Sequence, residues 1–234
     1  MRPFAAVLAA MLLLWSAPAA ARTVRPDPAA LRIAAMAATP PVEGAKRPFD
    51  LVDLRTVDPG VRLDIRYATA NNFMGFPLYD GAEAWLQRPA AEALGRVAAS
   101  LRPQGYGLLI HDAYRPWFVT WMFWETTPPE KREFVADPAQ GSRHNRGSAV
   151  DLTLYDLKTG RAVEMPSGYD DFSPRAYPEY AGGTPRQRAM RDLLRREMEA
   201  QGFTVYPQEW WHFDHRDWRE YGIGNVSFEA LDPR

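Results

Sequence analysis

Hydrophobic positions recur along this chain with two periods, and the switches between them mark its elements. From Val61 to Tyr67 apolar residues alternate with Arg62, Asp64 and Arg66, the pattern of a half-buried strand. Pro89 to Leu101 changes to a helical period, with proline in the first turn and Leu94, Val97 and Leu101 on one face. Tyr106 to Ile110 is a short apolar run behind Gly105 and predicts a buried strand. A helix starts at Pro116 and runs to about Glu125, with Trp117, Phe118, Trp121 and Trp124 mostly on one side, an aromatic stripe expected to be core. Alternation returns at Ser148 to Leu154. Val150, Leu152 and Leu154 share one face, and Ala149, Asp151 and Thr153 the other. Residues 156–183 are rich in Pro and Gly and read as loop. Thr184 and Pro185 open a last long helix that buries Met190, Leu193, Leu194 and Met198 and ends at Gly202. Phe203–Tyr206 and Trp211–His215 are the final strands. Strands interleaved with a few helices predict a single α+β domain: a mainly antiparallel sheet, flanking helices, and any site in a cleft on the sheet.

The ends and the composition narrow the picture. Arg2, an apolar run from Phe4 to Trp15, the break at Pro18 and the small residues Ala19–Ala21 predict a secretory signal peptide over residues 1–21. The run is shorter than the ~20 apolar residues needed to span a bilayer. The expected mature protein is therefore periplasmic or secreted, with no stable membrane anchor. Residues 22–49 are rich in Ala and Pro without a sustained period and read as a linker or surface arm, leaving 50–234 as the folded domain. A formal net charge of −1 argues against nucleic acid as a partner, since neutralising phosphates needs a basic surplus. There is no cysteine, so a metal must be held by His, Asp or Glu, and only His111, His144, His212 and His215 are available.

Two segments concentrate chemistry. In Ser142–Asp151 a polar, Gly-containing turn carries His144 into a strand bearing Asp151 on its less apolar face. An ionised Asp on a sheet face needs a partner or a metal. The pair offers one nitrogen and one oxygen suited to zinc, or else an Asp satisfied by local backbone beside a solvent-facing His. In Gln208–Phe213, His212 is a candidate third ligand, and Glu209 a carboxylate able to take a proton from an activated water. Residues i and i+3 of a regular strand point to opposite faces. Glu209 must therefore precede the strand, or a bulge must separate it from His212. Alternation turns His215 away from His212. His111 reads as a packed histidine behind the site. Arg115, held where a buried strand turns into a helix, can bind a substrate carboxylate or an oxyanion, or can form a structural ion pair with Asp112.

Taken in order, Tyr67–Gly75, Asp112–Pro116, Ser142–Tyr155 and Glu209–His212 resemble the VanX-type D-alanyl-D-alanine dipeptidases, a branch of the zinc D,D-peptidases. The likeness runs from about Leu51 to about Asp217. It implies one zinc ion on His144, Asp151 and His212, Glu209 as catalytic base and Arg115 as transition-state arginine. It also places Ser142 and Asp170 at the termini of a small D,D-dipeptide, with Tyr67 lining the pocket. The implied reaction is hydrolysis of D-Ala-D-Ala to two D-Ala in cell-wall peptide turnover. A D,D-carboxypeptidase or L,D-peptidase acting on longer wall peptides is the alternative, and a non-catalytic peptidoglycan-binding zinc domain a more distant one. Two departures stand out: a shorter segment between Arg115 and His144 than in resistance-associated enzymes, and the export signal.

Overall fold

The computed structural model describes residues 27–231; the expected signal peptide lies outside them. The elements in chain order are α1 (Pro28–Ala37), β1 (Leu51–Asp53), α2 (Leu54–Val57), β2 (Arg62–Leu63), β3 (Trp85–Gln87), α3 (Arg88–Leu101) and β4 (Tyr106–Asp112). They continue with α4 (Trp117–Thr126), β5 (Ala149–Asp156), α5 (Pro185–Ala200), β6 (Phe203–Tyr206), β7 (Glu209–His215) and α6 (Phe228–Leu231). The main sheet has the order β2-β4-β5-β7-β6. Its pairings are antiparallel except β2 with β4, which is parallel. β1 and β3 form a separate antiparallel pair. This is the expected α+β class, with α3 and α5 packed on each other and on the sheet.

Local chemistry explains the main boundaries. Thr184 and Gln187 close a capping box at the start of α5, and Pro185 occupies its first turn, where no N–H is needed. Gly202 sits at φ +89° just past the end of that helix, a conformation that costs glycine no Cβ clash. Central β5 is buried on both faces, with Val150, Leu152 and Leu154 in the core and Asp151 and Thr153 buried on the other side.

Three elements differ from the sequence pattern. The strand expected over Val61–Tyr67 pairs only at Arg62 and Leu63. Beyond it the Asp64 N–H still donates to the Ile110 carbonyl, and the chain then enters a 3₁₀ turn at Arg66–Ala68 that takes Tyr67 off the sheet edge. The Ala/Pro-rich arm contains a helix, α1, capped by Asp27 and packed on α4 through buried Leu31 and Ala35. The aromatic helix α4 has no single buried stripe: Trp117, Phe118, Val119, Met122 and Phe123 are buried, while Trp121 and Trp124 are only half-buried. α1 covers part of the surface that a lone sheet-packed helix would have exposed.

Candidate metal centre

Two strands and one turn build the site. β5 and β7 pair so that Asp151 lies directly opposite His212. Opposed residues on antiparallel strands have Cβ atoms ~4.5–5.5 Å apart, so the register alone brings the two side chains together. The third member arrives from the turn before β5. His144 opens a 3₁₀ turn that ends at Gly147, φ +64°, and the chain then enters β5. A Cβ at Gly147 would lie 2.5 Å from Leu51 Cδ2, so both the backbone angle and the packing demand glycine there. Asn145 ties this turn to the start of α4. Its amide donates to the Arg115 carbonyl (2.8 Å) and Thr120 Oγ1 (2.9 Å), and its Oδ1 accepts from the Ser142 N–H (2.7 Å).

His144 Nε2, Asp151 Oδ1 and His212 Nδ1 form a nearly equilateral triangle with sides of 3.1, 3.0 and 3.3 Å. Ligand atoms on a tetrahedron with bonds of ~2.0–2.1 Å lie ~3.3 Å apart, so this donor set has the size that zinc requires. The protons are already assigned elsewhere. His144 Nδ1 donates to the Ala113 carbonyl at 2.7 Å, and His212 Nε2 donates to Asp214 Oδ1 at 2.9 Å. Each neutral ring therefore turns a lone pair inward. Asp151 Oδ2 accepts from the Tyr169 hydroxyl at 2.9 Å, while buried Oδ1 has no hydrogen-bond donor among the described residues. Three electron-rich atoms converging away from water need a cation between them. The surroundings of His212 favour positive charge at this point. Burial opposes it, but the Asp214 and Asp151 carboxylates push His212 up to about 10. The His–Asp–His group thus fits a divalent metal by donor type, spacing and tautomer.

Glu209 stands beside this group, its Oε2 3.8 Å from His212 Nδ1. The register explains how: Val205 pairs with Phe213, but the next residue, Tyr206, pairs with Glu209. The irregularity falls between Glu209 and His212, where alternation required one, and both residues line the same pocket. Burial raises the Glu209 carboxyl to about 7, with the Asp151 and Asp214 charges adding to the effect and His212 and Arg115 opposing it.

Arg115 forms the ion pair that was the structural alternative for it, and also lines the pocket. Its Nε and Nη2 donate to Asp112 Oδ2 at 2.9 and 2.7 Å, the ion pair anticipated as the structural alternative. Asp112 is itself fixed by the Tyr79 hydroxyl (2.7 Å) and the Ala113 N–H (2.9 Å). A register shift at His111 sets Asp112 opposite Asp151, so the guanidinium spans two acids, with Nη2 3.9 Å from Asp151 Oδ2. It also packs over the Tyr67 and Phe123 rings and lines the pocket. Nη1 makes no hydrogen bond among the described residues and is left to donate to a ligand.

The pocket encloses about 250 Å³ and brings together the residues that the resemblance places at the site: Tyr67, Arg115, Ser142, His144, Asp151, Asp170, Glu209 and His212. Asp170 has φ 57°, a left-handed conformation that Asp tolerates better than most residues, and receives the Tyr67 hydroxyl at 3.1 Å from each carboxylate oxygen. Burial first, then the Asp151 and Glu209 charges, raise its carboxyl well above the ordinary range. Ser142 Oγ accepts from the His144 N–H at 3.2 Å. His111 is outside the pocket lining; its ring packs at a tilt against Tyr169, centroids 4.8 Å apart, and so backs the residue that orients Asp151. His215 is buried with Asp217 as its partner and faces away, as alternation requires.

Three kinds of contributor were not singled out in the sequence. Asp214 orients His212 from two residues along the same strand, and the same alternation that set His215 aside points to it. Tyr169 comes from an irregular loop and has no periodic signal. Phe73, Phe123, Phe134 and Phe172 form an aromatic wall from four separate segments, with Phe134 and Phe172 stacked at 5.0 Å.

Comparison with known proteins bears on this arrangement. The family model described as D-ala-D-ala dipeptidase matches residues 47–223. A D-alanyl-D-alanine dipeptidase of Escherichia coli is 34% identical over 165 residues, 70% of this chain and 84% of the relative. One from Enterococcus faecium is 37% identical over 179 residues, covering 68% and 87%. One from Streptomyces coelicolor is 35% identical over 173 residues, covering 66% and 85%.

Proposed function

The chain belongs to the D-Ala-D-Ala dipeptidase family of peptidases, and from that premise we propose that it hydrolyses D-Ala-D-Ala to two D-alanines around one zinc ion held by His144, Asp151 and His212. The observation that carries the proposal is the triangle of inward lone pairs with an unliganded carboxylate, Glu209, at its edge. A cation bound there supplies Lewis acidity, lowering the pKa of a coordinated water toward ~7 and polarising a carbonyl oxygen.

The protein's own groups divide the remaining work. Glu209 is the general base. It takes the proton of the attacking water and passes one to the leaving amine as the peptide bond breaks. Arg115, braced by Asp112, offers Nη1 to the oxygen on which negative charge develops, and bracing means little reorganisation at that moment. Asp170 and Tyr67 receive the free ammonium of the dipeptide. The arriving cation lets the Asp170 carboxyl ionise. Ser142 contacts the other terminus. Tyr169 and Asp214 hold Asp151 and His212 in orientation.

A carboxylate for the free amine favours dipeptides over longer wall peptides. Blocking that amine, as in N-acetyl-D-Ala-D-Ala, is expected to remove most of kcat/KM. Equal turnover of the blocked dipeptide or of a D-Ala-D-Ala-terminated pentapeptide would instead indicate a carboxypeptidase. We further place the enzyme in the periplasm after removal of residues 1–21, where it would recycle dipeptide released from the wall. Growth on D-Ala-D-Ala as sole nitrogen source should then depend on the gene, and growth unaffected by its deletion would refute that role.

A further inference from the structure

Beside the catalytic pocket lies a second concavity of about 540 Å³ with a different character. It is lined by Glu43, Gln140, Arg143, Arg146, Trp218 and Arg219, together with Ala139 and Gly141. Three arginines face one carboxylate there, in a chain whose formal net charge is −1. All three guanidiniums gather on a single indole: Arg219, Arg143 and Arg146 lie 4.1, 4.8 and 5.4 Å from the Trp218 ring centre.

The three are not equally committed. Buried Arg146 is structural. Its Nη1 donates to Glu43 (2.5 Å) and to the Tyr221 carbonyl (2.8 Å). That pair consumes the one acid in the lining. Arg143 approaches Asp214 with Nε at 3.2 Å, but this buried Nε lacks hydrogen-bond geometry, and its Nη groups make no hydrogen bond among the described residues. Arg219 is engaged only with the indole. Stacking holds a guanidinium in plane and leaves its edge N–H donors free, which pre-pays part of the side-chain entropy of binding. The donors of Arg143, Arg219 and Gln140 line one groove and offer charge-assisted hydrogen bonds to an oxyanion.

We propose that the Trp218 groove, which adjoins the catalytic pocket, is an anion-binding site taking the carboxylate or phosphate group of a ligand on Arg143 and Arg219. The inference stands whatever reaction the pocket carries out. The groove shares Gln140, Gly141 and Arg143 with the pocket, so a ligand here lies against the same segment that forms the pocket rim.

The test is calorimetric titration of the zinc-loaded protein at low ionic strength, with inorganic phosphate and with N-acetylglutamate as separate probes. Binding of phosphate alone would identify a phosphate group as the ligand chemistry, and binding of N-acetylglutamate a carboxylate. Arg219→Ala is expected to weaken binding about tenfold, the worth of one charge-assisted contact, and Arg219→Lys to recover part of it. Addition of 0.5 M NaCl should abolish it, since exposed charges are screened within ~3–10 Å at such ionic strengths. Anions also bind metal centres, and the variant separates the two cases. Affinity equal in the wild-type and Arg219→Ala proteins, or no binding of either probe, would overturn the proposal.

Discussion

At the scale of single residues the site is a proton-placement problem. Ala113 and Asp214 take the outward N–H of the two imidazoles, and Tyr169 occupies one oxygen of Asp151, so the remaining three atoms have one use. Asp214→Asn leaves the ligand set intact but can no longer accept that N–H as a carboxylate does. Zinc affinity should fall about 10–100-fold, measured by competition with a chromophoric chelator. Glu209→Gln should bind zinc normally and lose about 10²–10⁴ in kcat. The acid limb of kcat/KM belongs to the same carboxyl. Only its ionised form accepts a proton, so activity should rise with pH through a midpoint at or below about 7, the cation lowering the value that burial raises. Asp170 makes the opposite kind of statement, about stability. Its carboxyl titrates well above the ordinary range in the fold, because of burial and the Asp151 and Glu209 charges, and near ~3.9 in the unfolded chain. Its contribution is full below that pH and is lost as pH rises through the higher folded value. Asp170→Asn should therefore flatten the decline in stability above ~4 while raising KM for the dipeptide. A pH–stability profile unchanged by the substitution would contradict the raised titration. That His144, Asp151 and His212 would come together was partly legible, because the chain has only four histidines and the two here sit in polar segments next to strands. Tyr169 was not, because a tyrosine in an aperiodic loop carries no signal of what it touches.

At the scale of elements, the decisive features are a register and a bulge. Pairing Asp151 with His212 across β5 and β7 does what no single segment can, and it joins two strands far apart in the chain. Alternation in the sequence foretold the faces but not the partner. The bulge in β7 was legible in a different way. Two functional residues three apart on a strand cannot share a face without one, and the register shift falls where that argument put it. What alternation overstated is β2. Periodicity describes the faces of a segment, whereas strand length depends on how far a neighbour is available to pair, and at the sheet edge β4 pairs with β2 at only two positions. The Ala/Pro-rich reading as a linker passed over α1, although Asp27 caps it and its residues are strong helix formers; a helix of ten residues is marginal on its own, and docking on α4 supports it. The turn that delivers His144 gives a direct test at this scale. Gly147→Ala must adopt φ near +64° against Leu51. It should cost about 1–2 kcal/mol of stability, and more if Leu51 cannot yield. Zinc affinity should fall with it, because the same turn aims the imidazole. Unchanged thermal stability would show that the turn relaxes freely.

At the scale of the whole molecule, the sheet, the loop over residues 156–183 and the α4 aromatic side all face one pocket, and its donors require a cation. A metal bound there would add to the folded state's stability as well as supply its chemistry. Ligand held at 100 times its Kd adds ~2.7 kcal/mol, so chelation should lower Tm by several degrees and zinc should restore it. The central claim is that this pocket is a metal-dependent D,D-dipeptidase site on His144, Asp151 and His212. It is tested most directly by the rate of D-alanine release from D-Ala-D-Ala, measured on the purified protein after exhaustive chelation and again after one equivalent of zinc, with His144→Ala in parallel. The account predicts no release after chelation, full recovery at one zinc per chain, and no recovery in the variant. Hydrolysis that persists without metal, or that zinc restores to His144→Ala, would contradict it.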